Sequence, residues 1–285
     1  MRGDLHEANR RSWNAATAAH NSHKGDQAAW LRGGGSTLFP EERDLLGEVA
    51  GRTLLHLQCN AGQDTLSLAA LGADAVGVDI SDEAVAFARR LSAESGIPAV
   101  FERADVYDWL EEAARAGRRF DRVFSSYGAV CWLSELGPWA RGIAGVLGGG
   151  GHFVLVDFHP VAAMFDARMR LVFPYSGGRA IRSEEGIRDY VAWSGEGLLH
   201  GAEYREGVVD FRNPHPSHEF AWGVGEVVGA LLEAGLTLEA LREWPYSNGY
   251  APFEGMRPLP GRRWAPPEGV PEMPLMYGLS ARKPG

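Results

Sequence analysis

The stretch LLHLQCNAGQDTLSLA, residues 54–69, has the pattern of a strand, a tight turn and a helix. A helix that begins beside a strand end presents free N–H groups and a partial positive charge, so this turn suits an anionic group, either a phosphate or a carboxylate. Dinucleotide folds keep several glycines here because a pyrophosphate needs close backbone approach. This turn keeps only Gly62, and Gln58 and Asn60 stand where glycines are expected. We therefore expect a smaller ligand that meets the turn through its edge.

Two acidic residues follow the next two predicted strands. Asp79 ends the run AVGVD, and Asp105 follows the run AVFERA. A carboxylate at the first position can accept hydrogen bonds from both hydroxyls of a ribose, and Asp105 could accept one from an adenine amino group. Each residue also has a simpler possible role, as a cap of the helix that follows it. Together with the turn, they indicate a site for a nucleoside with a short charged tail.

Five predicted strands must position these residues: TLLHLQ (53–58), DAVGVD (74–79), AVFERA (99–104), FDRVFSSY (120–127) and GHFVLVDF (151–158). Four predicted helices lie between them, at 63–72, 81–96, 106–117 and 136–150. Strands joined by helical crossovers predict a mostly parallel, doubly wound α/β sheet. Ligands of such sheets bind beyond the carboxyl ends of the strands, where the strand order reverses.

Composition and charge exclude several classes of protein. The chain has 285 residues and a formal net charge of −9, which argues against a broad nucleic-acid surface. Its apolar runs are too short to cross a bilayer, and its polar start does not resemble a signal peptide. Cys59 and Cys131, the two cysteines, form no disulfide framework, so we expect a cytoplasmic protein. A homo-oligomer remains possible.

The order of these elements, with LLHLQCNAG, GVDIS, RADVYD, FDRVFSSYGAV and LGGGGHFVLVDFHP, resembles the class I S-adenosylmethionine-dependent methyltransferases. The longer run HLQCNAGQDTLSLAALGADAVGVDIS, with the NRRSWNAA start and the PLMYGLSARK end, is similar to a bacterial subgroup of that family without an assigned substrate. The resemblance implies a Rossmann-like sheet of seven strands with an antiparallel last strand. It also implies S-adenosyl-L-methionine as cofactor, S-adenosyl-L-homocysteine as product, and a methyl acceptor that we expect to be a small molecule.

Four segments follow from this organisation. Residues 1–48 are predicted to form an amphipathic but weakly structured N-terminal cap, and residues 49–159 the cofactor-binding Rossmann-like core. Residues 160–221 are predicted to be an inserted cap or lid, with weak strand signals over 198–211. Residues 222–285 complete the core with a helix (223–235) and two strands (236–244 and 275–283), which should pair antiparallel because no helix joins them.

The resemblance also implies which residues meet the cofactor. The turn lines the methionine part, the acid after the second strand takes the ribose, and the residues after the third strand flank the adenine. The residues implied for the cofactor are Gln58, Cys59, Asn60, Gly62, Asp79, Ile80, Asp105, Val106, Ser125 and Trp13. His56 replaces the acid of the family pattern, and Gln58 and Asn60 replace its first two glycines. The sequence therefore does not indicate which residues bind the amino and carboxylate groups of the methionine part. For Cys59, a small buried thiol is the simpler interpretation.

Methyl transfer is an in-line displacement from a sulfonium to a nucleophile, so the protein chiefly aligns the reactants. Residues after the fourth strand should lie beside the sulfonium, where Ser126 and Tyr127 could position an acceptor. His159, at the end of the fifth strand, is the predicted base if the acceptor must lose a proton, although a histidine before a proline can be structural. Trp13 could supply an aromatic wall for a cationic methyl group.

The sequence leaves two other functions open and contains one cluster of residues that could resemble a metal site. His215, His218 and Glu219 fit no strong metal motif, so no metal is predicted. A methyltransferase-like module without catalysis remains an alternative because fold does not guarantee chemistry. A nicotinamide-dependent oxidoreductase is a further alternative, and the crowded turn and the terminal antiparallel strands count against it.

Overall fold

The computed structural model describes residues 2–198 and 205–285. Three helices precede the sheet: α1 (Gly3–Ser22), α2 (Gln27–Arg32) and α3 (Pro40–Leu46). The expectation of weak structure in this part of the chain was wrong, since α1 runs for 20 residues. Alanines favour α1, and its buried polar residues include His6, Asn9 and Ser12, which find partners elsewhere in the chain.

The next part of the chain alternates strand and helix as predicted. Its elements are β1 (Thr53–Leu57), α4 (Gln63–Ala70), β2 (Asp74–Asp79), α5 (Asp82–Ser95), β3 (Val100–Arg103), α6 (Val106–Arg115), β4 (Phe120–Ser126), α7 (Leu136–Val146) and β5 (Leu147–Phe158). The prediction failed at 147–150, which belongs to β5 instead of the preceding helix. Leu147 has an extended conformation and pairs with Phe120 of β4, so the chain turns directly from helix into strand.

Residues 160–221 contribute short elements: α8 (Pro160–Ala163), β6 (Arg179–Ser183), α9 (Tyr190–Ser194) and β7 (Ser217–Ala221). Strands β6 and β7 pair antiparallel as a separate two-stranded ribbon. Of the weak strand signal over 198–211, residues 199–204 lie outside the described residues. Residues 205–211 form no strand, so the described part of that signal was wrong.

The last part of the chain returns to the main sheet. Its elements are α10 (Val224–Glu233), β8 (Thr237–Trp244), β9 (Ser247–Asn248), β10 (Arg257–Leu259), β11 (Arg263–Ala265) and β12 (Met276–Arg282). Strand β12 runs antiparallel between β5 and β8, which confirms the predicted antiparallel pair. Strands β9, β10 and β11 form a small sheet of their own.

The main sheet has seven strands in the order β3-β2-β1-β4-β5-β12-β8. All of its pairs are parallel except the two that β12 makes, so the predicted Rossmann-like fold class is confirmed. The strand order reverses between β1 and β4, and their carboxyl ends therefore open a crevice at this point.

Side chains of the sheet alternate between two apolar layers, as the pleat requires. On β1, Leu55 and Leu57 belong to the layer that includes Trp139 and Ile143 of α7. Leu54 belongs to the opposite layer, which includes residues of α3 and α4. Within the described ranges, no helix combines the length and the apolar character needed to cross a membrane.

Candidate functional site

A cavity of about 1060 Å³ lies beyond the carboxyl ends of the parallel strands. Its floor is formed by residues at the ends of β1, β2, β3, β4 and β5. Further lining residues come from α1, from the chain between α1 and α3, from the start of α4, from the described part of residues 160–221 and from the segment between β8 and β12. The cavity therefore lies where the order of the strands reverses, which is the expected place for a ligand in this class of sheet.

The turn between β1 and α4 carries its unusual residues in left-handed conformations. Gln58, Asn60 and Gly62 have φ angles of 53°, 49° and 80°. Asn60 tolerates this conformation because its side chain can bond locally, and its Oδ1 accepts from the N–H of Ala61 at 2.6 Å. No side chain of the described residues caps α4 at Gly62, so the first N–H groups of this helix have no capping partner among them.

Gly62 and Cys59 pack against the apolar side chains of α5 and β3. A Cβ on Gly62 would lie 2.7 Å from both the Ala88 Cβ and the Phe101 ring, so only glycine lets α4 lie this close to its neighbours. Gly62 does not line the cavity. Cys59 reaches the cavity with part of its surface but is 4% exposed and packs in the apolar layer. Burial raises the pKa of its thiol well above the usual value, which makes it a poor nucleophile.

Asp79 lies at the cavity and also ties the turn to β2. Its Oδ2 accepts from the N–H of Asn60 at 2.8 Å, and its Oδ1 accepts from the N–H of Ser81 at 2.8 Å. Ser81, and not Asp79, caps α5, since its Oγ accepts from the N–H of Ala84. Burial raises the pKa of Asp79 to about 6. The carboxylate keeps lone pairs for donors in the cavity, and Ile80 beside it also lines the wall.

Asp105 combines the two roles considered for it from the sequence. Its Oδ1 accepts from the N–H of Tyr107 at 3.0 Å and caps α6, and its Oδ2 bonds to Nδ1 of His6 at 2.7 Å. Both Asp105 and the adjacent Val106 line the cavity. The sequence did not indicate the partner His6, because it lies 99 positions away on α1.

His56, which stands where the family pattern has an acid, is a buried neutral group. Its Nδ1 bonds to Oγ1 of Thr65 at 2.8 Å, and burial lowers its pKa to about 4. An acid is nevertheless present nearby, since Asp64 in the first turn of α4 lines the cavity. This carboxylate was missed because the family pattern directs attention to β1.

Gln58 leaves an unpaired acceptor at the cavity. Its Nε2 donates to the carbonyl of Ala129 at 2.7 Å, which fixes the side chain across the ends of β1 and β4. Its buried Oε1 has no partner among the described residues. A buried carbonyl oxygen without a donor fits a ligand that carries an N–H or ammonium group.

The residues after β4 differ in their access to the cavity. Ser125 is fully buried and does not line it, so the prediction of Ser125 as a cofactor residue has no support in this geometry. Ser126 and Tyr127 do line it, and the hydroxyl of Tyr127 accepts from Nδ2 of Asn248 at 2.9 Å. Burial and the Glu42 carboxylate hold the pKa of Tyr127 well above its usual value. Tyr127 therefore stays protonated and can position a group but cannot accept its proton.

His159 lies outside the cavity, contrary to the position needed for a base. Its Nε2 bonds to Oε1 of Glu243 at 2.8 Å, and its Nδ1 accepts from the N–H of Val161 at 3.1 Å. The ring is 3% exposed. With both nitrogens engaged and no cavity contact, His159 fits the structural role of a helix cap, so we do not carry it forward as the base.

An aromatic chamber forms the far side of the cavity. Trp13 on α1 meets Trp132 edge to face at 5.5 Å, and Tyr190 lies 5.9 Å from Tyr250 between ring centroids. Phe158 at the end of β5 extends this surface to Tyr250 at 5.2 Å. We define the aromatic chamber as these five residues. The sequence indicated only Trp13, since the other rings come from segments without a recognisable motif.

Glu219 and Arg188 bring opposite charges to the same part of the cavity. Burial raises the pKa of Glu219, and the charge of Arg188 acts against that shift. Glu219 lies on β7, and no ion pair of Glu219 occurs in the part of the chain that the structure describes. From the sequence, Glu219 was a candidate only as a metal ligand. Within residues 2–198 and 205–285, no group of three or more acids, histidines and cysteines could hold a metal ion.

The comparisons with known proteins agree with this architecture. Residues 54–151 match the family model described as a methyltransferase domain, whereas no curated protein matches the chain. An S-adenosylmethionine-dependent methyltransferase from Mesorhizobium loti is 21% identical, covers 86% of this chain and 96% of its own, and has a TM-score of 0.52. A putative one from Listeria monocytogenes is 18% identical, with the same coverage and a TM-score of 0.58.

A third solved structure is the glycopeptide N-methyltransferase MtfA in complex with S-adenosyl-L-methionine. It is 16% identical, covers 86% of each chain and has a TM-score of 0.51. At these identities the three structures support the shared fold, and the family model supports the motifs. Residues 54–151 therefore carry the sequence pattern of the methyltransferase domain family, on a fold that the chain shares with S-adenosylmethionine-dependent methyltransferases.

Proposed function

We propose that this protein transfers a methyl group from S-adenosyl-L-methionine to a small-molecule acceptor. The observation that carries the proposal is one continuous cavity that contains both the acids after β2 and β3 and the aromatic chamber. The volume of about 1060 Å³ leaves room for a nucleoside cofactor and a small acceptor side by side. The match of residues 54–151 to a methyltransferase domain supports the first half of this arrangement.

The residues on the strand ends fit the parts of the cofactor. Asp79 would accept from the ribose hydroxyls, and Asp105 with Val106 would flank the adenine. When bound, the cofactor supplies an electrophilic methyl group on a sulfonium. Trp13 and the other rings of the aromatic chamber favour a cationic group beside them. Tyr127 would orient the acceptor through its protonated hydroxyl.

The acceptor would occupy the aromatic chamber. We propose that residues 1–48 and 160–221 act as the two caps that enclose it, which makes a small molecule a better fit than a macromolecule. If the acceptor must lose a proton, Glu219 is the group placed to receive it, since it lines the cavity without an ion pair among the described residues. We also place the protein in the cytoplasm, where the free thiols Cys59 and Cys131 stay reduced.

Calorimetry with S-adenosyl-L-homocysteine tests the cofactor half of the proposal. We expect binding by the wild type and a large loss of affinity in Asp79→Ala, because two ribose hydroxyls lose their acceptor. Release of S-adenosyl-L-homocysteine from S-adenosyl-L-methionine over a panel of small amines, phenols, thiols and carboxylates tests the transfer. Absence of binding at millimolar concentration would overturn the proposal.

The same two experiments separate the alternatives. Cofactor binding without turnover on any member of the panel would favour a methyltransferase-like module without catalysis. A fluorescence titration with NADH tests the nicotinamide-dependent oxidoreductase. The comparisons do not support that alternative. Tight binding of NADH without binding of S-adenosyl-L-homocysteine would favour it over a methyltransferase.

A further inference from the structure

Two opposite charges face the cavity at the amino end of α4. Lys24 lies between α1 and α2, and Asp64 lies in the first turn of α4. Both line the cavity. The carboxylates of Asp64 and Asp189 act electrostatically on the Lys24 ammonium, yet no ion pair of Lys24 occurs between residues 2–198 and 205–285. The ammonium thus meets the cavity with its charge uncompensated by a direct contact.

Of these two carboxylates, Asp189 is already engaged. Its Oδ2 pairs with Nε2 of His23 at 2.7 Å, and its Oδ1 accepts from the N–H of Ala192 at 3.3 Å. Asp64 has different partners, since the hydroxyls of Thr37 and Ser126 donate to it. Hydroxyls satisfy lone pairs but carry no positive charge, and no ion pair of Asp64 occurs among the described residues, which leaves room for a cation from a ligand.

Polar contacts fasten the Lys24 segment to the amino end of α4. Nε2 of Gln63 donates to Oδ1 of Asn21 at 3.0 Å and to Oε1 of Gln27 at 2.8 Å. Lys24 lies between these two anchors and is held beside the uncapped end of α4. Burial lowers the pKa of Lys24 to about 8, so most of the lysine is protonated at pH 7.

We propose that Lys24 and Asp64 hold the amino-acid end of S-adenosyl-L-methionine, with the carboxylate on Lys24 and the ammonium on Asp64. This assignment rests on the proposed function. The uncapped N–H groups of α4 add to the binding of the carboxylate, and the unpaired Oε1 of Gln58 accepts from the ammonium. Lys24 and Asp64 would take the role of the acid that the family pattern has on β1, where this chain has His56. They would bind the two opposite charges of the amino-acid end although the turn has only one glycine.

Three ligands separate the two contacts by calorimetry at pH 7. S-adenosyl-L-homocysteine carries both charges, S-adenosyl-3-thiopropylamine lacks the carboxylate, and 5′-methylthioadenosine lacks the whole amino-acid end. We expect Lys24→Met to weaken S-adenosyl-L-homocysteine binding about 10- to 100-fold and to leave the other two ligands within about twofold. We expect Asp64→Asn to weaken the two ligands that carry an ammonium and to spare 5′-methylthioadenosine.

Lys283→Met is the matched control, since Lys283 donates to the carbonyls of Ala144 and Leu147 and does not line the cavity. It removes the same charge and should leave all three affinities unchanged. If Lys24→Met fails to fold, Lys24→Gln and the wild-type preference for S-adenosyl-L-homocysteine over S-adenosyl-3-thiopropylamine give the same answer. A wild type that binds none of the ligands would overturn the proposed function itself. Equal losses for all three ligands in Lys24→Met, or no loss for any, would overturn the assignment alone.

Discussion

Neighbouring residues of the turn after β1 act on the site through different physical effects. Gly62 allows α4 to approach the sheet because it has no side chain. Asn60 satisfies the backbone of the same turn with its own side-chain oxygen, and Asp79 accepts from the N–H of Asn60. The turn is therefore fixed before any ligand arrives, and its preorganisation reduces the free-energy cost of binding.

Substitution of Gly62 tests the packing argument without reference to function. Gly62→Ala should lower the free energy of unfolding by about 1–3 kcal/mol more than Gly96→Ala, because only its Cβ meets close neighbours. Both glycines have a positive φ, 80° and 73°, so the strain of the left-handed conformation is common to both variants. Urea denaturation measures the difference, and equal losses would show that the contact with α5 and β3 is not tight.

The pKa of Asp79 predicts how cofactor affinity depends on pH. Burial raises this pKa to about 6, well above the usual range of an aspartate, so the protonated acid contributes stability to the empty fold at low pH that is lost as pH rises through 6. In the proposed binding mode the ribose hydroxyls donate to the ionised form, so affinity for S-adenosyl-L-homocysteine should rise about tenfold between pH 5 and 7. Calorimetry of Asp79→Asn should show weaker binding without this rise, and the same rise in the variant would assign it to another group.

Glu219 and His159 give opposite predictions for turnover. With an acceptor found by the panel, Glu219→Gln should lower kcat at least tenfold and remove the acidic limb of its pH profile, because the amide cannot take up a proton. His159→Gln should leave kcat within about twofold and reduce stability by about 1 kcal/mol through loss of the Glu243 contact. A large fall in kcat for His159→Gln would restore it as the base.

At the scale of elements, α1 connects parts of the chain that are far apart in sequence. His6 bonds to Asp105 after β3 and to Oγ of Ser134 at 2.9 Å, and the side chain of Asn9 bonds to the backbone of His218 on β7. The helix thus bridges the Asp105 side of the cavity and the ribbon formed by β6 and β7. Its position depends on buried polar contacts, which are lost together if the helix moves.

Removal of one of these contacts should loosen α1. His6→Ala should lower the free energy of unfolding by about 1–3 kcal/mol, since Asp105 and Ser134 each lose a partner, and should speed tryptic cleavage within residues 3–22. Arg11→Ala is the control on the same helix, because its ion pair with Glu7 is exposed and contributes less than about 1 kcal/mol. Similar behaviour of the two variants would show that the His6 contacts do not fix the helix.

The sequence predicted the elements whose signals are local. Ser81 and Gly96 mark the ends of α5, and the acids at the strand ends are recognisable from short motifs. The length of α1 was missed because its polar face pairs with residues about 100 and 200 positions away. Lys24 and Glu219 were missed as site residues for the same reason, since only the tertiary fold brings them to the cavity.

At the scale of the molecule, the cavity is lined by segments that are far apart in the sequence, from α1 to the segment between β8 and β12. We expect a bound nucleoside to contact both α1 and the described part of residues 160–221, so binding and the position of these segments should be coupled. The net charge of −9 opposes nucleic-acid binding, and the cationic groups that line the cavity include Lys24 and Arg188. We therefore expect an anionic group of a ligand to be bound by cationic residues within the cavity and not by the outer surface.

Hydrogen exchange tests this coupling. Saturation with S-adenosyl-L-homocysteine at 100 times its Kd should stabilise the whole fold by about 2.7 kcal/mol, and the additional local protection should appear in residues 3–22 and 190–194. Residues 224–244, which do not line the cavity, are the internal control. Equal protection throughout the chain, or none in α1, would show that the cap does not respond to the cofactor.

The contact between Asn9 and His218 spans 209 positions, and this has a consequence for biosynthesis. At about 5–20 residues per second, a ribosome needs about 10 to 40 s to deliver the second partner after the first. During that interval α1 presents polar side chains such as Asn9 without the partners that satisfy them in the fold. We expect α1 to dock late, after β7 and the main sheet have formed.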